Sequence, residues 1–271
     1  MTNRQHAISD QFQKVKKSGG KALITYISAG DPDLATSRKL VLALEQNGVD
    51  IIELGIPYSD PVADGPVIQQ ASLRALKNGI TIEAVFGLVA SLRQDTVIPL
   101  VLMVYYNSIL QYGVSKFLIQ CSQVGVDGLI VPDLPLEESG ELRQEAGAYN
   151  VDVIMLVAPT TPVERIARIA AASHGFLYCV SVTGVTGTQA TLDSGLQAFL
   201  GTVRSQTDLP LAVGFGISTP EQAAEAAQIA DGVIVGSAVI KVVEQYLGTD
   251  SLVNKVGEFA RSLKTGLVEA K

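Results

Sequence analysis

Short, uninterrupted apolar runs rich in valine and isoleucine alternate along the chain with longer stretches whose apolar residues recur every three or four positions. The short runs, Ala22–Ser28, Ile51–Leu54, Leu100–Val104, Gly128–Val131, Val153–Val157, Gly175–Val180, Leu211–Val213 and Gly232–Val235, predict eight strands. They are apolar throughout instead of alternating, as parallel strands covered on both faces are. The helical period predicts covering helices at Leu34–Gln46, Ile82–Arg93, Glu137–Ala148, Val163–Ala172 and Pro220–Ile229. Asp33 caps the first of these, Asp31 belongs to the turn before it, and Pro162 and Pro220 sit where a first helical turn tolerates proline.

This alternation predicts an α/β fold, a single (β/α)8 TIM barrel spanning residues 1–271, with an N-terminal helix within residues 1–18 and extra helices. An internal echo supports it. G-V-D-I-I-E-L-G (48–55), G-V-D-G-L-I-V-P-D (125–133) and A-D-G-V-I-V-G (230–236) share a helix-ending turn, an aspartate and a strand. The alternative is a doubly wound open sheet, but A-G-D-P-D after the first strand is not a dinucleotide fingerprint. Two segments break the rhythm. Residues 55–79 hold a loop and an extra helix, Val67–Lys77. Residues 181–192 form a glycine- and threonine-rich loop without apolar period, which on the catalytic face of a barrel suits a lid.

Composition narrows the function. Of the 271 residues 47% are hydrophobic, enough for a large core, and a net charge of −7 argues against nucleic-acid or anionic-membrane partners. No apolar run reaches the roughly 18–20 residues that span a bilayer, and the first twenty residues form a polar amphipathic helix instead of a signal peptide. Cys121 and Cys179 are expected as buried free thiols, which fits a cytoplasmic setting, or a plastid if a transit peptide was removed. His6 and His174 lack ligand neighbours at useful spacing, so no metal is expected.

The candidate chemistry begins at Glu53, a lone carboxylate in the strand I-I-E-L-G. Either it pairs with a cation on a neighbouring strand, or it points into the barrel mouth, where desolvation raises its pKa and fits it for proton donation near neutrality. Asp64 follows eleven residues later in a Pro/Gly-rich loop, as a turn brace or as the second member of an acid–base pair. Tyr26, Tyr105, Tyr106 and Tyr178 belong to the core or to an aromatic rim suited to a planar substrate. Glycine clusters at 184–187, 214–218 and 236–237 are tight turns, or together a phosphate cradle built on helix N-termini with Ser237 as a donor and no lysine or arginine.

The run E-L-G-I-P-Y-S-D-P-V-A-D-G-P-V-I-Q, with Y-I-S-A-G-D-P-D, Tyr105 and Asn107, V-P-D-L-P-L-E-E-S, G-V-T-G, G-F-G-I-S and G-S-A-V-I-K, resembles the tryptophan synthase α-subunit family over nearly the whole chain. The resemblance implies retro-aldol cleavage of indole-3-glycerol phosphate to indole and glyceraldehyde 3-phosphate. It makes Glu53 the acid and base and Asp64 the carboxylate on the ring N–H. Tyr178 lies by the substrate hydroxyl, Gly187, Gly216, Gly236 and Ser237 hold the phosphate, and Tyr26, Tyr105, Phe215 and Ile234 surround the ring and glycerol. Thr186 is a lid threonine that orders the glutamate. It also implies a β-subunit partner in an α2β2 assembly, facing Pro57, Tyr58, Ser59, Asp60, Pro61, Asn107 and Asp133. Pyridoxal phosphate belongs to that partner, and this chain needs no cofactor. Departures from the bacterial pattern are Tyr58 for a common phenylalanine, Val182 for a basic residue, Pro132 for a smaller one, and the bulk of Tyr106; they bear on the lid and the docking rim. A stand-alone lyase releasing free indole, and a silent phosphate-binding barrel, are the alternatives.

Overall fold

The computed structural model describes Arg4 and residues 6–181, 194–214 and 216–269; the predicted lid beyond Ser181, with Val182, Thr186 and Gly187, and Phe215 lie outside these. The strands are β1 (Ala22–Ser28), β2 (Ile51–Gly55), β3 (Leu100–Met103), β4 (Gly128–Ile130), β5 (Asp152–Ile154), β6 (Leu156–Val157), β7 (Leu177–Val180), β8 (Leu211–Gly214) and β9 (Gly232–Val235). The helices are α1 (Ala7–Lys17), α2 (Leu34–Gln46), α3 (Pro66–Lys77), α4 (Ile82–Leu92), α5 (Tyr106–Tyr112), α6 (Val114–Val124), α7 (Gly140–Ala148), α8 (Val163–Ala172), α9 (Ser194–Arg204), α10 (Pro220–Ile229), α11 (Ser237–Gln245) and α12 (Leu252–Glu269). No single helix among the described residues is long and apolar enough to cross a membrane.

All strands pair in parallel, in the order β5-β4-β3-β2-β1-β9-β8-β7-β6. The predicted fifth strand, Val153–Val157, is interrupted: Met155 donates its N–H to Ser173 Oγ at 3.0 Å instead of to the ladder, and β5 and β6 result. Since these two are one pass of the chain, the ends of the strand order meet and the sheet closes. Its register has the offset of a TIM barrel. Tyr26, Glu53, Val101, Gly128 and Asp152 stand level, as do Leu156, Tyr178, Ala212, Gly232 and Ala22. Asp152 to Leu156 is a climb of four residues, and Ala22 lies four below Tyr26, so a circuit returns displaced by eight.

The N-terminal helix closes one end of this barrel. Ile8 and Phe12 of α1 are buried with Ile24, Ile51, Val101, Ile130, Ile154, Phe176 and Ala212, and the Phe12 and Phe176 rings lie 5.6 Å apart. Close approach is possible because β4 and β9 begin with glycine: a Cβ at Gly128 would stand 2.9 Å from Ile8 Cδ1, and one at Gly232 3.1 Å from Phe12 Cε1.

The sequence echo has a structural meaning at the same end. Asp50, Asp127 and Asp231 each precede a strand by one residue. Each donates its N–H to the carbonyl of a residue on, or opening, the neighbouring strand (Leu23, Leu100, Leu211) and accepts that residue's N–H on its carboxylate, at 2.8, 2.8 and 2.9 Å. Each carboxylate also meets a cation: Lys264, the Arg4–Arg93 pair, or Arg204.

Of the helices expected from sequence, α7 differs most, starting at Gly140 and not Glu137; α5, α6, α9, α11 and α12 had no expected range. A turn from Leu136 to Ser139 precedes it, and Glu137 is engaged with Arg165 at 2.6 and 2.7 Å. Asp33 caps α2 by accepting from Thr36 N at 2.7 Å. Asp31 does more than turn the chain: it is buried and bound by both ends of the Arg74 fork at 2.8 Å, which ties α3 to the top of β1. Cys121 and Cys179 are buried and free.

Candidate active site

Side chains alternate in and out along a strand, so the residues level with Ile24 and Tyr26 face the barrel axis. Glu53 is one of them, near the C-terminal end of β2 and beside Tyr26. It is 1% exposed and both its carboxyl oxygens lack a hydrogen-bond partner. No cation among the described residues neutralises it; burial pushes its carboxyl up to about 8. The other buried unpaired side-chain oxygens among the described residues are the hydroxyls of Thr25 and Ser28. A carboxyl is far costlier to leave without a partner, so a functional reason is required.

Two tyrosines flank it. A Cβ built on Gly55 would stand 2.0 Å from Tyr26 Oη, and one on Gly214 2.4 Å from Tyr178 Oη. Each ring therefore leans across a glycine on the next strand, and any side chain there would evict it. Both tyrosines are buried, which raises their pKa values, and both are raised further by the charges of Asp64 and Glu53. The four groups thus converge on one mouth.

Asp64 is half-buried in the loop between β2 and α3. Burial pushes it up to about 6, against a lowering bond from Tyr105. Tyr105 Oη donates to Asp64 Oδ2 at 3.1 Å and accepts from Ala63 N at 3.0 Å. The Tyr105 ring stacks on Tyr58 with centroids 4.9 Å apart. Asn107 donates to Tyr58 Oη at 3.3 Å, and Asp133 accepts from Tyr106 N at 2.9 Å. Tyr58, Tyr106, Asn107, Pro132 and Asp133 thereby gather on one rim above β2, β3 and β4, with Ser59 and Asp60 exposed and Pro57 and Pro61 buried.

Across the mouth, Ile234 is buried on β9, Gly236 is the N-cap of α11 and Ser237 is its exposed first residue. Free N–H groups of this first turn are available to an anion. Gly216, at φ 81°, stands exposed in the loop between β8 and α10. Thr186, Gly187 and Phe215 lie outside the described residues. No cluster of three or more metal-binding side chains occurs among the described residues. A groove of about 970 Å³ opens at the opposite end, lined by Phe12, Lys16, Lys21, Arg204, Asp208 and Asp231 among others; it contains none of the predicted site residues.

Sequence reasoning did not foresee the Tyr105–Asp64 bond or the two glycines that seat the tyrosines. The glycine at the end of E-L-G was the available signal for the latter.

A family model described as tryptophan synthase alpha chain matches residues 12–268. A tryptophan synthase alpha chain from Geobacter sp. (strain M21) is 50% identical, covering 97% of this chain and 98% of its own. One from Alkaliphilus metalliredigens (strain QYMF) is 52% identical, covering 94% and 96%. The crystal structure of tryptophan synthase subunit alpha from Legionella pneumophila str. Paris superposes with a TM-score of 0.90 at 38% identity, covering 97% of this chain and 98% of that one.

Proposed function

The chain belongs to the tryptophan synthase alpha chain family, and on that premise we propose how its barrel mouth cleaves indole-3-glycerol phosphate. The reaction is a carbon–carbon lyase step yielding indole and glyceraldehyde 3-phosphate. The observation that carries the assignment of roles is the buried, unpartnered Glu53.

A carboxyl held up near pH 8 is protonated at neutrality and can give its proton to indole C3. That step leaves positive charge on the ring nitrogen. Asp64, ionised above about pH 6, accepts the ring N–H and stabilises the charge. The Glu53 carboxylate then takes the proton of the adjacent side-chain hydroxyl. The O–H electrons become the carbonyl, the C–C bond breaks, and its electrons restore the indole ring. Glu53 ends protonated, ready for the next cycle. In this reading Tyr178 orients the hydroxyl, and Tyr26, Tyr105 and Ile234 wall the ring. The α11 N-terminus at Gly236 and Ser237, with Gly216, takes the phosphate. Phe215, Gly187 and the lid threonine Thr186 complete the site in this reading.

In this scheme the chain supplies all the chemistry from its own side chains. Family membership implies a β-subunit partner, and the rim from Pro57 to Pro61 with Asn107 and Asp133 is the proposed docking face in an α2β2 assembly. Pyridoxal phosphate belongs to that partner.

The test is indole release from indole-3-glycerol phosphate by the chain, with and without a β subunit. Asp64→Asn is expected to lower turnover by about 10²-fold or more, and the β subunit to raise it. Near wild-type turnover by Asp64→Asn would remove Asp64 from the mechanism. Full activity alone, unchanged by β subunit, would mark a stand-alone lyase.

A further inference from the structure

Asp64 must present a carboxylate to a ring nitrogen from a loop, where side chains are ordinarily free to swing. Among the described residues, the groups that hold it can be named. Its backbone carbonyl accepts from Gln69 Nε2 at 2.9 Å, which pins the loop to α3. Among the described residues its side chain has one hydrogen-bond donor, Tyr105 Oη, and no lysine, arginine or histidine pairs with it. The titratable groups around it are Tyr105 beyond β3, Tyr26 on β1, Tyr178 on β7 and Glu53 on β2, with Asp133 beyond β4 acting on Tyr105. Tyr105 is the one that donates, and it is held at three points. Its hydroxyl accepts from Ala63 N, its ring is buried, and its face is stacked on Tyr58. Tyr58 in turn is held by Asn107 on the exposed rim.

We propose that Tyr105 is a positioning residue for Asp64, and that the Asn107–Tyr58 contact on the rim sets how firmly Tyr105 holds it. The connection runs from an exposed amide, through a hydroxyl and a ring stack, to the carboxylate that meets the substrate. Loss of the Asn107 amide or displacement of the Tyr58 ring loosens Asp64 without touching the substrate. This rests on the reading of Asp64 given above and assigns that site a control point. Tyr58 makes the link possible, because a phenylalanine there would stack but would offer Asn107 no acceptor.

The experiment is the pH dependence of kcat/KM for indole release by Tyr105→Phe, Tyr58→Phe, Asn107→Ala and the double variant Tyr58→Phe/Tyr105→Phe, each checked for a native denaturation midpoint. A donor to a charged group is worth about one pKa unit or more. Tyr105→Phe is therefore expected to move the acid limb up by about one unit, an approximately tenfold loss at pH 5 and less than about twofold at pH 7.5. Tyr58→Phe and Asn107→Ala are expected to move it the same way by roughly two- to threefold, and Tyr58→Phe to add nothing once Tyr105 is phenylalanine. An equal loss at every pH, no loss, or additive effects in the double variant would overturn the proposal. If Asp64→Asn kept wild-type turnover, the reading of Asp64 itself would fail. An inactive Asp64→Asn with an unmoved acid limb in Tyr105→Phe would defeat the positioning role alone.

Discussion

Glu53 and Asp64 are both carboxylates, yet their surroundings set them to opposite duties at neutral pH. Glu53, shut between β1 and β3 with no partner, holds its proton to about pH 8. Asp64, half-buried and bonded by Tyr105, loses its proton near pH 6. Chemistry that needs Glu53 protonated and Asp64 ionised runs between those values, so a bell-shaped kcat/KM profile with limbs near 6 and 8 is expected; a flat profile across pH 5–9 would contradict it. Glu53 also costs stability. Its folded pKa is raised, so below about pH 4.5 folded and unfolded chains are both protonated there and nothing is lost. As pH rises towards 8 the unfolded chain ionises first and folding weakens. Glu53→Gln is therefore expected to raise the melting temperature by roughly 5 °C at pH 8 and to leave it unchanged at pH 4. Equal melting curves at pH 8 would show that the carboxyl finds a partner. Glu53 was legible from sequence as a charge in an apolar strand. The Tyr105 hydroxyl was not, because pairing between loops after different strands leaves no mark in spacing.

At the scale of elements, strands and helices announced themselves by period. β1, α2, α8 and α10 fall where the apolar pattern put them. No range was predicted for α5, α6, α9, α11 or α12, and where a predicted element differs the cause is a local hydrogen bond. Ser173 takes one backbone N–H and splits the fifth strand, and a turn at 136–139 delays α7. The repeated aspartates were visible as an echo but not as clamps between strands. Asp127 shows their weight: it accepts from Leu100 N, from Arg93, and twice from Arg4. Asp127→Ala strands two guanidinium groups and a strand N–H, and is expected to cost about 3 kcal/mol in urea denaturation. Because the clamp lies at the end away from Glu53, KM for the substrate should not change. A raised KM with normal stability would place Asp127 in the site instead.

Taken whole, the barrel is divided along its axis. At the N-terminal end the α1 plug and the aspartate clamps fix the closure and the eight-residue offset. At the C-terminal end, the glycine-seated tyrosines and the unpartnered carboxyl of Glu53 carry a cost that the other end offsets. The closed topology was readable from eight apolar runs. The register was not, since runs apolar on both faces fit several offsets equally well. The most direct test of the whole account is indole release from indole-3-glycerol phosphate by Glu53→Gln at pH 7, with its fold checked by denaturation. Turnover is expected to fall by about 10³-fold or more in a protein at least as stable as wild type. Turnover within about threefold of wild type would show that Glu53 is not the proton donor and that the barrel works by another group.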